Sequence, residues 1–302
     1  MTDITCSIVL YNNHPDEIKI TAGCFLGSNL QVKLFLIDNS PTDKLRSCVS
    51  HPNCEYIFNG KNVGYGAGHN IAIRQSILTS TYYLVLNPDI RFNPEVLEGL
   101  FAFMNDNPDV GLSMPKVRYE TGELQYLCKK LPTPIDLFAR RFIPALLKNT
   151  FKKVLDEYEL KHKNYHSIMQ VPNLSGCFMF IKTKLFPIAG MFDEQYFLYL
   201  EDTDLSRRIN EYSLTVYYPY ETIVHGYQKA SYKNFKLLTY HLSSSIKYFN
   251  KWGWFKDRMR DVVNTYLELD DSRFAGYTPP AIQVRSKTYT ETEETRVEKM
   301  YA

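Results

Sequence analysis

A chain of 302 residues with 44% hydrophobic side chains can bury the core of one large α/β domain with appendages, or of two modest domains. Its 35 Lys and Arg nearly balance 33 Asp and Glu, and a net charge of +2 excludes a bulk polyanion binder such as a nucleic-acid-coating protein. The six cysteines are scattered with no C-x-x-C pair, which argues against a zinc or redox motif and fits free thiols in a reducing compartment.

Met1-Thr2-Asp3-Ile4 leads at once into a strand-like run without a basic leader, and no apolar run approaches the roughly 18 to 20 residues that span a bilayer. A cytoplasmic protein is expected. Thr5 to Tyr11 (TCSIVLY) is apolar on both faces and predicts a buried parallel strand, and Val32 to Ile37 (VKLFLI) repeats the pattern. A helix-length segment starting near Pro15 separates them. Tyr56 to Phe58 reads as a third strand, Ala67 to Leu78 as a helix and Tyr82 to Leu86 as a fourth strand. Strands and helices alternating at this spacing imply βαβ units, hence an α/β fold with a mostly parallel sheet flanked by helices.

Pro94 to Asn105 predicts a further helix with Asn93 as its cap, and Val110 to Met114 returns to the sheet. From Leu131 the composition turns basic and aromatic, predicting an insertion over 131–165, after which Gly176 to Ile181 (GCFMFI) resumes the sheet. Phe197 to Leu200, a helix from Asp202 to about Tyr212 and a strand over Thr215 to Tyr218 complete a domain over 1–230. Residues 231–269 predict an amphipathic helical extension carrying Trp252 and Trp254. Residues 270–302, with Pro279-Pro280 and dense Thr and Glu, predict a loosely packed tail.

In open α/β sheets ligands bind outside the carboxyl ends of the strands, and four features fall there. Asp38-Asn39-Ser40 follows an apolar strand; its Asp can accept the ring N–H of a pyrimidine or simply cap a turn. Gly64-x-Gly66-x-Gly68-His69-Asn70, after Asn62-Val63, lets backbone approach a ligand at a helix start. It differs from the dinucleotide fingerprint because it does not follow the first strand. Asn87-Pro88-Asp89 ends the fourth strand; a carboxylate there can hold a hard divalent cation against a diphosphate, or belong to an ordinary β-turn. Glu201-Asp202-Thr203-Asp204 puts three acids at what reads as a strand-to-helix junction, where the helix dipole alone would favour some of them. The acidic, aromatic run Phe192 to Phe197 before it looks like a pocket wall.

Taken in order, these motifs with Gly176-Cys177-Phe178-Met179 and Phe192-Asp193-Glu194 resemble the inverting family 2 glycosyltransferases of the GT-A fold, over residues about 5 to 230. Within that family the pattern is most similar to bacterial rhamnosyltransferases of O-antigen and cell-wall glycan assembly. The resemblance implies a nucleotide-sugar donor, dTDP- or UDP-linked, a saccharide or lipid-linked saccharide acceptor, and Mg²⁺ or Mn²⁺. Tyr11, Asp38, Asn62, Gly64, Gly68, Asn70 and Asn87 are the expected donor-binding residues. Asp89 and His225 would be metal ligands, Asp202 the catalytic base, and Glu201 and Asp204 acceptor-orienting groups. Asn87 stands where the family's metal motif carries an acid, which keeps open a non-catalytic binding module of the same fold.

Phe138 to Leu155 and Phe235 to Arg260 combine cations with large apolar side chains. Such helices suit a membrane interface on the inner face of the cytoplasmic membrane, or packing against the sheet or across a homo-oligomer interface.

Overall fold

The computed structural model describes residues 1–142, 148–226, 235–269 and 272–279. The first half is a run of strand–helix units: β1 (Thr2–Leu10), α1 (Pro15–Leu26), β2 (Val32–Asp38), β3 (Cys54–Phe58), α2 (Tyr65–Ser76) and β4 (Ser80–Leu86). Then come β5 (Ile90–Arg91), α3 (Glu95–Asp106), β6 (Val110–Arg118), α4 (Pro134–Phe142), α5 (Lys148–Tyr158), β7 (Met169–Gln170) and β8 (Phe178–Lys182). The chain continues through α6 (Phe186–Ala189), α7 (Glu201–Asn210), β9 (Leu214–His225), α8 (Phe235–Trp252) and α9 (Arg258–Leu269).

The strands form one sheet in the order β3-β2-β1-β4-β8-β6-β9-β5, with β7 added on β9. β1 runs parallel to β2 and β4, β2 parallel to β3, and β6 parallel to β9. β8 is antiparallel to both of its neighbours, β4 and β6, so those two point the same way. Every long strand except β8 therefore ends at one edge, and β8 begins there. The single reversal has a simple origin: β8 is entered after the excursion 119–177 and not through a helical crossover, so nothing forces it parallel. Strands such as β4, whose Tyr82 to Leu86 are all buried, are apolar on both faces because helices cover both sides of the sheet.

Several boundaries differ from the sequence expectation. The two short runs Thr215 to Tyr218 and Thr222 to His225 belong to one strand, β9, which keeps its pairing through a register shift against β6 near Pro115 and Lys116. Phe197 to Leu200 is a loop, not a strand: Tyr199 and Leu200 take φ of 71° and 67°, left-handed values that cost a non-glycine residue energy. The acids of α7 thus sit at a loop-to-helix junction.

The insertion and the helical extension fold on each other. Leu137, Tyr158, Tyr196, Leu200, Tyr248 and Phe249 form a second apolar core against which Phe138, Trp252 and Trp254 pack. Trp252 ends α8 and Trp254 lies just beyond it. The start of the expected tail is docked, with Tyr277 edge-on to Phe103 at 5.6 Å and to Tyr218 at 6.3 Å; residues 280–302 lie outside the described residues. No helix among the described residues is long and apolar enough to cross a membrane.

Candidate active site

The carboxyl ends of β1, β4 and β9 and the start of β8 open into a cleft of about 1110 Å³, the position the topology dictates for a ligand. Tyr11, Asn62, Gly64, Asn87, Asp89, Glu201, Asp202 and His225 line it. Gly64 caps α2 with φ of 97°, and a Cβ there would stand 2.6 Å from the Phe197 carbonyl oxygen, so glycine is required. Asn62 Oδ1 accepts the Gly64 N–H at 3.0 Å, and Asn39 Nδ2 donates to the Gly64 carbonyl at 3.0 Å, fixing this turn from both sides.

Three expected donor-binding residues are not in the cleft. Asp38 is fully buried; its carboxylate accepts the Ser40 N–H at 2.8 Å and the Tyr56 hydroxyl at 2.5 Å, so it holds the strand end. Gly68 makes room for Val9, whose methyls lie 2.8 and 3.0 Å from where a Cβ would stand. Asn70 is buried and grips the acidic loop: its amide donates to the Phe192 carbonyl and to Glu194, and its oxygen accepts the Phe192 N–H. These three positions build the wall behind the cleft.

The turn Asn87-Pro88-Asp89 is pinned by Thr21, whose hydroxyl lies 2.6 Å from the Pro88 carbonyl and 2.8 Å from that of Ile90. Its other tie is β9: the Gly226 N–H donates to the Asp89 carbonyl at 2.9 Å. His225 Nε2 consequently faces Asp89 Oδ1 at 3.4 Å. Gln125 Nε2 donates to the His225 carbonyl at 3.0 Å, which orients the amide and sets its oxygen 3.0 Å from His225 Nδ1. An amide oxygen only accepts, so Nδ1 carries a hydrogen and Nε2 is the ring nitrogen that faces the carboxylate. An imidazole nitrogen and a carboxylate oxygen converging in this way suit a divalent cation that takes its remaining ligands from water and phosphate, and the histidine–amide pair is the outer-shell support such ligands have. Among the described residues there is no cluster of three or more His, Cys, Asp or Glu.

Asn87 departs from an acid, and its side chain shows what it does instead: Oδ1 lies 2.9 Å from the Tyr65 hydroxyl. The same hydroxyl is 2.7 Å from the Gly176 carbonyl.

The acidic cluster divides by environment. Asp202 holds its carboxylate over the cleft, Oδ2 accepting the Gly176 N–H at 2.8 Å and Oδ1 the Thr203 N–H at 2.7 Å. Oδ1 also lies 3.4 Å from the Thr203 hydroxyl, while Oδ2 keeps a second lone pair, so the group is oriented without being consumed. Glu201 is buried in the cleft wall with Oε2 lacking a hydrogen-bond partner among the described residues. Burial, and after it the charge of Asp202, pushes its carboxyl well above the usual carboxylate range, which favours the neutral form. Asp204 points the other way. Fully buried, it accepts from Arg208 Nε, from the Trp252 indole N–H and from Lys251, all at 2.8 Å, so it joins α7 to α8 and does not line the cleft.

The sequence reading missed the group that completes this geometry. Tyr65 is the variable position inside Gly64-x-Gly66, and only the fold shows that it reaches across the cleft. Gln125 lay in a stretch with no periodicity, and no signal marked it. The loop before α7 is also held from α8, with Ser244 Oγ donating to the Leu198 carbonyl and Lys247 to that of Gln195.

Residues 6–168 match the model of glycosyl transferase family 2. The N-acetylglucosaminyl-diphospho-decaprenol L-rhamnosyltransferase of Mycobacterium tuberculosis is 26% identical over 89% of this chain and 92% of its own length. The rhamnosyltransferase WbbL of Escherichia coli is 23% identical over 85% of this chain and 97% of its own. Among solved structures, GalNAc-T7 with UDP, GalNAc and Mn²⁺ aligns with a TM-score of 0.56 at 13% identity over 75% of this chain and 43% of that one. The mannosyltransferase of Pyrobaculum calidifontis with GDP-Man and Mn²⁺ aligns at 0.54 and 15% over 82% and 64%. These two neighbours share the GT-A fold expected from the sequence. With more than half of its length matched by the family model, this chain belongs to glycosyl transferase family 2 and is a glycosyltransferase.

Proposed function

We infer that the protein transfers L-rhamnose from dTDP-rhamnose to a lipid-linked saccharide acceptor with inversion at the anomeric carbon. The observation that carries the mechanism is the single oriented carboxylate of Asp202 beside a buried Glu201 that favours its neutral form. Asp202 takes the proton of the acceptor hydroxyl as that oxygen attacks the anomeric carbon. With one base and no second nucleophile, a single displacement follows, hence inversion. The rhamnosyl donor and the lipid-linked acceptor rest on the names of the relatives that span most of the chain.

Tyr11, Asn62, Gly64 and Asn87 form the donor end of the cleft, while Asp89 and His225 would hold Mg²⁺ or Mn²⁺ against the donor diphosphate. A cation there neutralises charge on the departing nucleoside diphosphate. Phe235, the first residue of α8, and Phe255, in the segment between α8 and α9 beside Lys256 and Arg258, stand exposed and are the side chains by which the protein would meet an anionic membrane surface that carries its acceptor. Both tryptophans turn inward: Trp252 lies 4.0 Å from Arg207, and Trp254 stacks on Phe138.

The test is turnover by purified protein with dTDP-rhamnose or UDP-sugars, a polyprenyl-diphosphate-linked N-acetylhexosamine acceptor, and Mg²⁺ or Mn²⁺. The expected product is rhamnosylated, with the opposite anomeric configuration to the donor. Transfer from UDP-sugars alone, or a product of retained configuration, would contradict the proposal.

A further inference from the structure

The acceptor side and the donor side of the cleft belong to different parts of the chain, yet one hydroxyl touches both. Tyr65, the first residue of α2, lays its ring edge-on against His69 at 4.4 Å and against Phe192 at 6.4 Å. His69 is fully buried, its Nδ1 is 2.6 Å from Ser7 Oγ, and burial pushes it down to about 3, so it is a neutral, fixed support for the ring. The Tyr65 backbone N–H donates to the Phe197 carbonyl at 3.0 Å, tying α2 to the loop that leads into α7. Ring and backbone are held from independent directions, and the hydroxyl has little freedom.

Its single proton is shared between Asn87 Oδ1 at 2.9 Å and the Gly176 carbonyl at 2.7 Å. The amide of that same Gly176 donates to Asp202 Oδ2. The two strand ends are joined again where the Asn87 N–H donates to the Cys177 carbonyl at 2.9 Å. Gly176 has no spare room: a Cβ would lie 3.1 Å from Asp202 Cβ, 3.4 Å from its Oδ2 and 3.5 Å from the Tyr65 ring. A shift of this residue by a fraction of an ångström therefore moves the carboxylate.

We propose that Tyr65 is a positioning residue that fixes Gly176, and through it the Asp202 carboxylate, in register with the donor-side residue Asn87. The proposal rests on Asp202 as the base. Tyr65 touches neither base nor substrate in this account; it removes slack from the residue that aims the base. Misplacement of a reacting group by about 1 Å costs about 10²-fold in rate, so loss of one such tether should cost about tenfold.

Tyr65→Phe keeps the ring on His69 and Phe192 and removes only the bridge. With dTDP-rhamnose, kcat should fall about tenfold while the donor KM stays within about twofold, since Asn87 loses one partner of its side chain but keeps its backbone tie to Cys177. In an Asp202→Asn background the same change should cost nothing further, because no base remains to aim. A loss confined to donor KM, or a full tenfold loss in that background, would overturn the proposal. A second readout is independent of turnover. In [¹⁵N]glycine-labelled protein, the Gly176 amide signal, assigned by its loss in Gly176→Ala, should move in Asp202→Asn and also in Tyr65→Phe. If Tyr65→Phe leaves that signal where it stands in the parent, the coupling does not exist. If the parent protein transfers no rhamnose, the functional reading fails while the amide signal still decides the coupling.

Discussion

Arg207 and Asp257 form a two-bond ion pair, Nη1 to Oδ2 at 2.6 Å and Nη2 to Oδ1 at 2.7 Å, with both side chains at most 4% exposed. The guanidinium also lies over Trp252. This pair fastens the helix that bears Asp202 to the segment between α8 and α9. Removing one partner of a buried pair strands the other charge, which typically costs about 3–5 kcal/mol. Asp257→Ala should therefore lower the unfolding free energy in urea by about that amount. Asp204→Ala should also destabilise, because Arg208, Lys251 and Trp252 lose their shared acceptor. A loss of turnover in Asp204→Ala at unchanged stability would contradict its assignment as a tie between helices.

The metal site is tested from its outer shell. Asp89→Ala should abolish metal-stimulated turnover, and Gln125→Ala, which frees the His225 ring to rotate, should raise the half-saturating Mn²⁺ concentration by about 10 to 100-fold. Full activity of Asp89→Ala in excess EDTA would remove the metal from the account.

Stability should depend on pH through Glu221. Its carboxyl packs over Gly99, and burial, followed by the charges of Glu98 and Glu95, pushes it up to about 7. A carboxyl raised in the folded state contributes stability that is complete below its unfolded value near 4.5 and is lost as pH rises through 7. Glu221→Gln should remove that loss, so the variant should be more stable than the parent at pH 8 by about 1–2 kcal/mol and similar at pH 4.5. Parallel stability curves for the two proteins would contradict the assignment.

Membrane attachment predicts co-sedimentation with anionic vesicles that weakens as salt rises, since exposed charges are screened over about 8 to 10 Å at physiological ionic strength. Phe255→Ser should weaken it at every salt concentration. No sedimentation of the parent at low salt would refute the attachment.

Much of this architecture was legible because local patterns and fold agree. Runs such as YYLVL have to be buried strands, and the topology then places Asn87 and Asp89 at a strand end. What the sequence could not show was direction and partnership. The reversal of β8 is a property of the path between 118 and 178, not of its five residues. Asp38 and Asp204 carry the same carboxylate as Asp202, and Asn70 the same amide as Asn87; only tertiary contacts separate those that bind wall from those that face the cleft. Tyr65 was hidden for the converse reason: a tyrosine between glycines reads as filler until the fold brings Asn87 and Gly176 to its hydroxyl.

The central claim is that Asp202 is the base. Asp202→Asn keeps size and can still accept the Gly176 N–H, so affinity for dTDP-rhamnose in the presence of Mn²⁺, read by calorimetry, should remain within about threefold of the parent. Turnover by the same preparation should fall by at least about 10². Glu201→Gln, which replaces a group already favouring its neutral form, should retain most of the activity. An Asp202→Asn protein that still turns over while Glu201→Gln is inactive would contradict the account, since the proton would then pass to the neighbouring carboxylate.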